Sequence, residues 1–222
     1  MMKNAVISLG GSLIVPDGIE IAFLRKFSSF ILSREERFII ICGGGKTARA
    51  YQDALRSIIG SKDDMLDWIG IYATKLNAFL LRSILGEEAE EGIVSDPTKD
   101  IAWKRKVLVA SGWKPGRSTD YDAVLLAKKF RISTIINMSN VNYVYNSDPA
   151  KNKAAEPLKE LKWSGLRKII GDKWSPGLNM PFDPIAAIKA EKLGLKAAII
   201  GSNISNLKAL LDGNKFIGTV IS

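Results

Sequence analysis

Short apolar, largely β-branched runs alternate along this chain with longer segments whose apolar positions recur every three or four residues. The runs at 5–9, 37–42, 106–110, 133–137, 196–200 and 216–220 predict strands. Between them, Leu66, Ile69, Ala73, Leu76, Leu80 and Ile84 predict one long amphipathic helix over 65–85. Shorter helices are expected over 17–33, 46–59, 119–130, 183–194 and 205–212, the fourth started by Asp183 as N-cap with Pro184 at the first helical position. Strands and helices alternating from end to end predict an α/β fold with a mainly parallel sheet. The polar, Lys- and Ala-rich stretch 146–157 reads as a loop within the second half. A soft division near residue 133 separates two lobes, 1–133 and 134–222, of a single domain.

Composition narrows the chemistry more than the fold. At 222 residues, 46% hydrophobic and 25% charged, the chain is an ordinary globular sequence with enough length to bury a core. No apolar stretch reaches the length that crosses a bilayer, and Met1-Met2-Lys3-Asn4 runs straight into the first strand without a signal-peptide core, so a cytoplasmic protein is expected. Cys42 is the single cysteine and there is no histidine, which removes His-dependent nucleophiles and leaves too few ligands for an ordinary zinc site. Catalysis must therefore use Lys, Arg, Asp, backbone amides or a hard metal ion. The formal charge of +9 is scattered, with only short basic runs around 104–106 and 128–131, which argues against nucleic acid and suits a small anionic substrate.

Two strands end in glycine clusters that lead into helices, Gly10-Gly11-Ser12 and Gly43-Gly44-Gly45-Lys46-Thr47. Each can cradle phosphate on the amides of a helix start, and each can equally be a tight turn that needs glycine for its own geometry. The second is no Walker A loop, since the glycine required five positions before Gly45 is Ile40. It meets the dinucleotide pattern through Gly43, Gly45 and Ala48, but the acidic residues that follow, Asp63 and Asp64, open a helix instead of ending a strand. A third cluster runs from Gly112 to Asp120 and offers two cations, two hydroxyls and free amides, with Ser118 or Thr119 as a candidate N-cap.

In order, the blocks G-G-S, G-G-G-K-T-A-R-A-Y, D-W-I-G-I-Y-A-T-K-L-N-A, K-P-G-R-S-T-D, N-V-N-Y-V-Y-N-S-D-P and M-P-F-D-P-I-A-A span nearly the whole chain. This arrangement resembles the amino-acid kinase superfamily, and within it the archaeal-type uridylate kinases. The resemblance implies a three-layer α/β/α sandwich and transfer of the γ-phosphoryl group of ATP to UMP in pyrimidine nucleotide synthesis. It implies that Ser8, Leu9, Gly10, Gly11, Ser12 and Gly45 lie along the ATP phosphates with Arg49 on the next helix, and that Asn140, Tyr145 and Asp148 surround the adenine and ribose. Gly44, Asp67, Trp113, Lys114, Pro115, Gly116, Arg117, Ser118 and Thr119 are implied to hold UMP. On the residues alone, Asp67 also reads as a solvated helical carboxylate, Tyr145 as a core aromatic and Asp148 as a turn residue before Pro149. Related kinases pair through the long helix and form dimers or hexamers. Here that helix also carries Trp68, Tyr72 and Phe79, which need either a second copy or the 86–103 segment as cover.

Phosphoryl transfer requires two aligned nucleotides and charge stabilisation more than covalent chemistry. The expected stabilisers are the glycine-turn amides, Mg2+ carried in with ATP without a dedicated protein site, and one or more of Lys46, Arg49 and Arg117. Asp183 either orients a metal water or a cation, or simply caps its helix. Two departures stand out: Ser8 occupies the place of the superfamily's usual first-strand lysine, and Asn142-Tyr143 replaces the usual Asp-Gly. The rival readings are a catalytically degenerate nucleotide binder and a kinase of another small phosphate or carboxylate acceptor.

Overall fold

A computed structural model describes residues 3–60, 63–149, 151–171 and 180–222. Strand β1 (Asn4–Leu9) is followed by a single helical turn, α1 (Gly11–Ile14), and by α2 (Ile21–Ser33). The helix expected from residue 17 starts later because Pro16-Asp17-Gly18 forms a turn and Glu20 supplies the first helical carbonyl. Then come β2 (Arg37–Cys42), α3 (Gly45–Ile59), α4 (Asp63–Leu85), a 3-10 turn at Gly86–Glu88, β3 (Val107–Ala110) and α5 (Thr119–Lys129). The second half adds β4 (Thr134–Met138), β5 (Val144–Tyr145), β6 (Pro157–Leu158), β7 (Glu160–Leu161) and α6 (Trp163–Ile170). It closes with α7 (Pro184–Lys192), β8 (Lys196–Ile200), α8 (Ile204–Leu211) and β9 (Thr219–Ile221). The sequence pattern did not indicate α6 or the short strands β5 to β7, and it started the last strand three residues early.

Seven strands form one sheet in the order β3-β2-β1-β4-β8-β9-β7. The five from β3 to β8 run parallel, whereas β9 is antiparallel to β8. Strand alternation splits the core cleanly: Phe38, Ile40 and Cys42 of β2 face one cluster with Phe27, Ile31, Leu81 and Leu211. Ile39 and Ile41 face the other with Val124, Ala127, Leu166, Ala186 and Ala190. Helices α2, α4 and α8 thus cover one face and α5, α6 and α7 the other, the three-layer sandwich that was expected.

Connectivity decides where a ligand can enter. The chain builds outward from β1 to β2 and β3, then returns to place β4 on the other side of β1. Helices after β1 and after β4 therefore leave in different directions, and a crevice opens past the carboxyl ends of these two strands. The caps concentrate at the same edge. Ser118 Oγ accepts from the Tyr121 amide to start α5, Asp183 Oδ1 accepts from the Ala186 amide at 2.6 Å to start α7, and Asn203 caps α8.

Candidate active site

The two glycine clusters meet backbone to backbone in this crevice. A Cβ on Gly11 would stand 1.9 Å from the Gly45 nitrogen, and one on Gly43 would stand 2.4 Å from the Gly11 nitrogen. Gly45 adopts φ +64, and its missing side chain would meet the Gly11 and Val15 carbonyl oxygens at 2.4 and 2.8 Å. Gly10 is held from the other side, its amide donating to the Met138 carbonyl at 2.8 Å. The turn requirement is therefore real. Of the two readings the sequence left open, the packing carries the tight-turn requirement at Gly11, Gly43 and Gly45, so a side chain at any of them disturbs the fold as well as any ligand approach. At Gly44 the nearest neighbour of an added Cβ is the Ala48 side chain at 2.6 Å, on the side where α4 approaches.

Beside the clusters, the carboxyl ends of β1 and β4 and the starts of α5 and α7 converge on Asp120. Its Oδ1 accepts from Ser8 Oγ and from Asn137 Nδ2, both at 2.8 Å, and its Oδ2 accepts from the Asp183 amide at 3.1 Å. Local sequence gives Asp120 no role, because its partners lie 112, 17 and 63 positions away. The place of a first-strand lysine is thus taken by a hydroxyl that donates to a carboxylate. Burial raises the Asp120 carboxyl from its ordinary value to about 6, against the Ser8 hydrogen bond, and the neighbouring Asp183 adds to the rise. Burial likewise raises Asp183, against the hydrogen bond from the Ala186 amide, and its Oδ2 has no hydrogen-bond partner among the described residues.

A carboxyl with a raised folded-state pKa holds its proton more tightly folded than unfolded. Its contribution to stability is full below about pH 4 and is lost as pH rises through about 6. Asp120→Asn removes that dependence. Urea denaturation across pH 4 to 7 should show the stability of the parent relative to this variant falling by on the order of 1–3 kcal/mol and then levelling off. A constant difference across that range would place the titration elsewhere.

The loop 112–118 closes one side of the crevice. Its amides are less free than the sequence suggested: Gly112 donates to Thr74 Oγ1 at 2.8 Å, Trp113 to Asp122 Oδ2 at 3.1 Å and Gly116 to Asp67 Oδ2 at 2.7 Å. Asp67 is buried rather than solvated, so α4 holds the loop through Asp67 and Thr74 together. Lys114 Nζ lies 4.0 Å from the centre of the Trp113 ring, and the Arg117 guanidinium lies over the Tyr121 ring while donating to the Gly116 carbonyl. Pro115 and Thr119 complete the loop and the first turn of α5. Lys46 and Arg49, one helical turn apart on α3, face Asp17, which pairs with Lys46 and is held below its ordinary pKa chiefly by that contact. Both cations are exposed at the open side of the glycine pair.

On the β4 side, Asn140 is exposed, Tyr145 pairs with Pro157 in the small hairpin of β5 and β6, and its ring meets Tyr143 edge to face at 6.4 Å. Asp148 lies 3.8 Å from Lys151 and closes a turn through its carbonyl. The Asn142 side chain rests against Gly201 at the end of β8, where a Cβ would stand 2.0 Å from Oδ1. Ser12 and Leu9 flank the first glycine turn, Leu9 fully buried beneath it. A separate cavity of about 500 Å3 lies along 90–108 beside the β3 edge, lined by charges of both signs, and it adjoins the start of the 112–118 loop where the Ser111 amide donates to the Val94 carbonyl.

Residues 3–201 match the family model described as Amino acid kinase family. The chain belongs to the amino acid kinase family. Within that family, the uridylate kinase of Thermoplasma volcanium is 36% identical over 100% of this chain and 98% of its own. That of Methanospirillum hungatei is 31% identical over 100% of this chain and 95% of its own. The crystal structure of uridylate kinase from Archaeoglobus fulgidus superposes with a TM-score of 0.82 at 32% identity, each chain fully covered. The UMP kinase of Bacillus anthracis, at 22% identity and a TM-score of 0.77, shares the fold. No described helix of this family member is long and apolar enough to cross a membrane.

Proposed function

We propose that this member of the amino acid kinase family is a uridylate kinase that transfers the γ-phosphoryl group of ATP to UMP, giving UDP and ADP. The observation that carries the reading is the shape of the crevice: one pair of interlocked glycine turns flanked by a nucleotide-sized loop on each side, 112–118 toward β3 and 139–148 toward β8. Phosphates of both substrates meet over the glycine turns. UMP lies against Asp67 and 112–118, and the donor base lies between Asn140, Tyr145 and Asp148, so that 1–133 forms the acceptor lobe and 134–222 the donor lobe. Gly11, Ser12 and Gly45 offer amides to the triphosphate, Gly10 shapes the turn with its own amide held by Met138, and Lys46, Arg49 and Arg117 bring charge to the transferring group.

Magnesium bound to ATP supplies neutralisation of the β- and γ-phosphates. The unpartnered, buried Oδ2 of Asp183 is the oxygen at the crevice suited to orient a water of that ion. Asp183 already caps α7 through Oδ1, so both sequence readings of this residue are compatible in one carboxylate. The acceptor is itself a phosphate, so no general base is assigned. A cytoplasmic site of action agrees with the buried single thiol and with a reaction that consumes ATP.

Release of ADP from Mg-ATP, followed across UMP, CMP, AMP and small acid acceptors, tests the assignment. UMP is expected to be turned over at least about tenfold more efficiently than the others, the discrimination one well-placed polar contact supplies. Equal rates with CMP overturn the acceptor. No turnover together with tight ATP binding favours the non-catalytic reading, which the replacement of the first-strand cation by Ser8 would then explain. Asp67→Ala should raise the KM for UMP about tenfold, through loss of one charge-assisted hydrogen bond, with the KM for ATP unmoved.

A further inference from the structure

Asp122 lies on the first turns of α5, two residues beyond the carboxylate at the centre of the crevice, and is 1% exposed. Its Oδ2 accepts one hydrogen bond, from the Trp113 amide nine positions back, and its Oδ1 is buried with no partner. Packing alone gives no reason for a carboxyl here, since an apolar residue would fill the position and leave only the Trp113 amide without its acceptor. The single contact it does make reaches the hinge of the loop 112–118, where the chain leaves β3.

We propose that Asp122 is a positioning residue for the acceptor nucleotide, fixing the start of the 112–118 loop so that Trp113 and Lys114 are set in place before the ligand arrives. The inference rests on the acceptor role given to that loop under the proposed function. Three side chains then fix the loop at three points: Thr74 holds Gly112, Asp122 holds Trp113 and Asp67 holds Gly116. Two of these anchors come from α4, and Asp122 is the one from α5, the helix whose start carries Ser118, Thr119 and Asp120. Movement of the loop is thereby coupled to the end of the crevice where the phosphates meet. Lys114, stacked on the Trp113 ring, is carried by the same hinge. Burial raises the Asp122 carboxyl well above the ordinary range, and Asp120, Asp183 and Asp96 add repulsion, while the hydrogen bond it accepts from the Trp113 amide works the other way.

An asparagine can accept the same hydrogen bond, which separates positioning from bulk structure. Asp122→Ala is expected to raise the KM for UMP about tenfold, the worth of one hydrogen bond that orders a loop, while the KM for ATP stays within about twofold. Asp122→Asn keeps an acceptor for the Trp113 amide and should bring the KM for UMP back to within about twofold of the parent. If Asp122→Ala folds poorly, Asp122→Leu keeps the side-chain shape without the acceptor and must show the same selective loss. Equal rises in both KM values, or no rescue by asparagine, reduce Asp122 to a structural residue and overturn the proposal. If the parent chain turns over no monophosphate, the kinase reading fails separately. Calorimetric titration with UMP then decides: selective weakening in Asp122→Ala and Asp122→Leu sustains the proposal, and unchanged binding or no binding by the parent overturns it.

Discussion

Gly45→Ala is expected to leave little folded protein, while Gly116→Ala is expected to fold and to cost only about 1–2 kcal/mol. Both glycines have positive φ, +64 and +74, so each substitution carries the same left-handed penalty. They differ in what a methyl group would meet. At Gly116 there is no atom within 4 Å, whereas at Gly45 two carbonyl oxygens stand inside 3 Å, and neither can move without pulling β1 and α1 apart from α3. A clash with backbone on both sides belongs with the severe lesions, on the order of 4–5 kcal/mol or more against a total of about 5–15. Gly11→Ala should behave like Gly45→Ala, since its Cβ would overlap the Gly45 nitrogen. Circular dichroism and urea denaturation of the three variants distinguish the cases. Retained structure and stability in Gly45→Ala would mean that the turns are loose enough to separate, and that the glycines serve approach to a ligand instead.

The comparison also shows what a single sequence can carry. The strands from β1 to β4 and β8 were legible because a buried parallel sheet writes continuous apolar runs, and α7 because Asp183-Pro184 is a local signal complete in two residues. The phosphate turns were visible as glycine, yet their main structural work, packing against each other, depends on a contact between residues more than thirty positions apart. Asp120 and Asp122 were hidden for the same reason: each sits in a helix start where acids are favoured anyway, and only the fold brings Ser8, Asn137 and Trp113 to them. Helix α6 was missed although Trp163, Leu166 and Ile170 have helical spacing, because Gly165 and a length of 8 residues make the pattern too short to stand out. Two further sequence features, the block that includes Met180 and the 146–157 loop, each adjoin or include residues outside those described.

Helix α4 is where periodicity misled most. Leu76 and Ile84 share the periodic stripe with Leu66 and Ala73, but they are 63% and 41% exposed, and the buried side runs from Leu66 and Ala73 through Ile71, Ala78, Leu81 and Leu85. A helix apolar around most of its circumference fits more than one stripe, so spacing alone cannot choose the inner face. The segment 86–103 does not cover the remainder. It docks on the edge of β3, with Glu90 donating to the Val107 carbonyl and Val94 to that of Val109.

That leaves Met65, Trp68, Tyr72, Leu76 and Phe79 as a continuous exposed ridge on α4, with Tyr51 and Ile58 on the neighbouring α3, a larger apolar surface than a monomer ordinarily keeps in water. We propose that a second copy of the chain covers it, as a dimer or as the pairing unit of a hexamer. Each of these side chains is about half exposed, so withdrawing it from water contributes roughly 1 kcal/mol, and five from each of two copies together are of the order of the cost of association. Phe79→Asp or Tyr72→Asp places a charge in the middle of that surface and should convert the assembly to monomers at micromolar concentration, because an unpaired buried charge costs more than the rest of the ridge returns. Light scattering reads the mass directly, and the melting temperature of the parent should rise with protein concentration while that of the variants does not. A parent chain that is monomeric at micromolar concentration sinks the idea. A parent that assembles and is unaffected by either substitution moves the interface off α4.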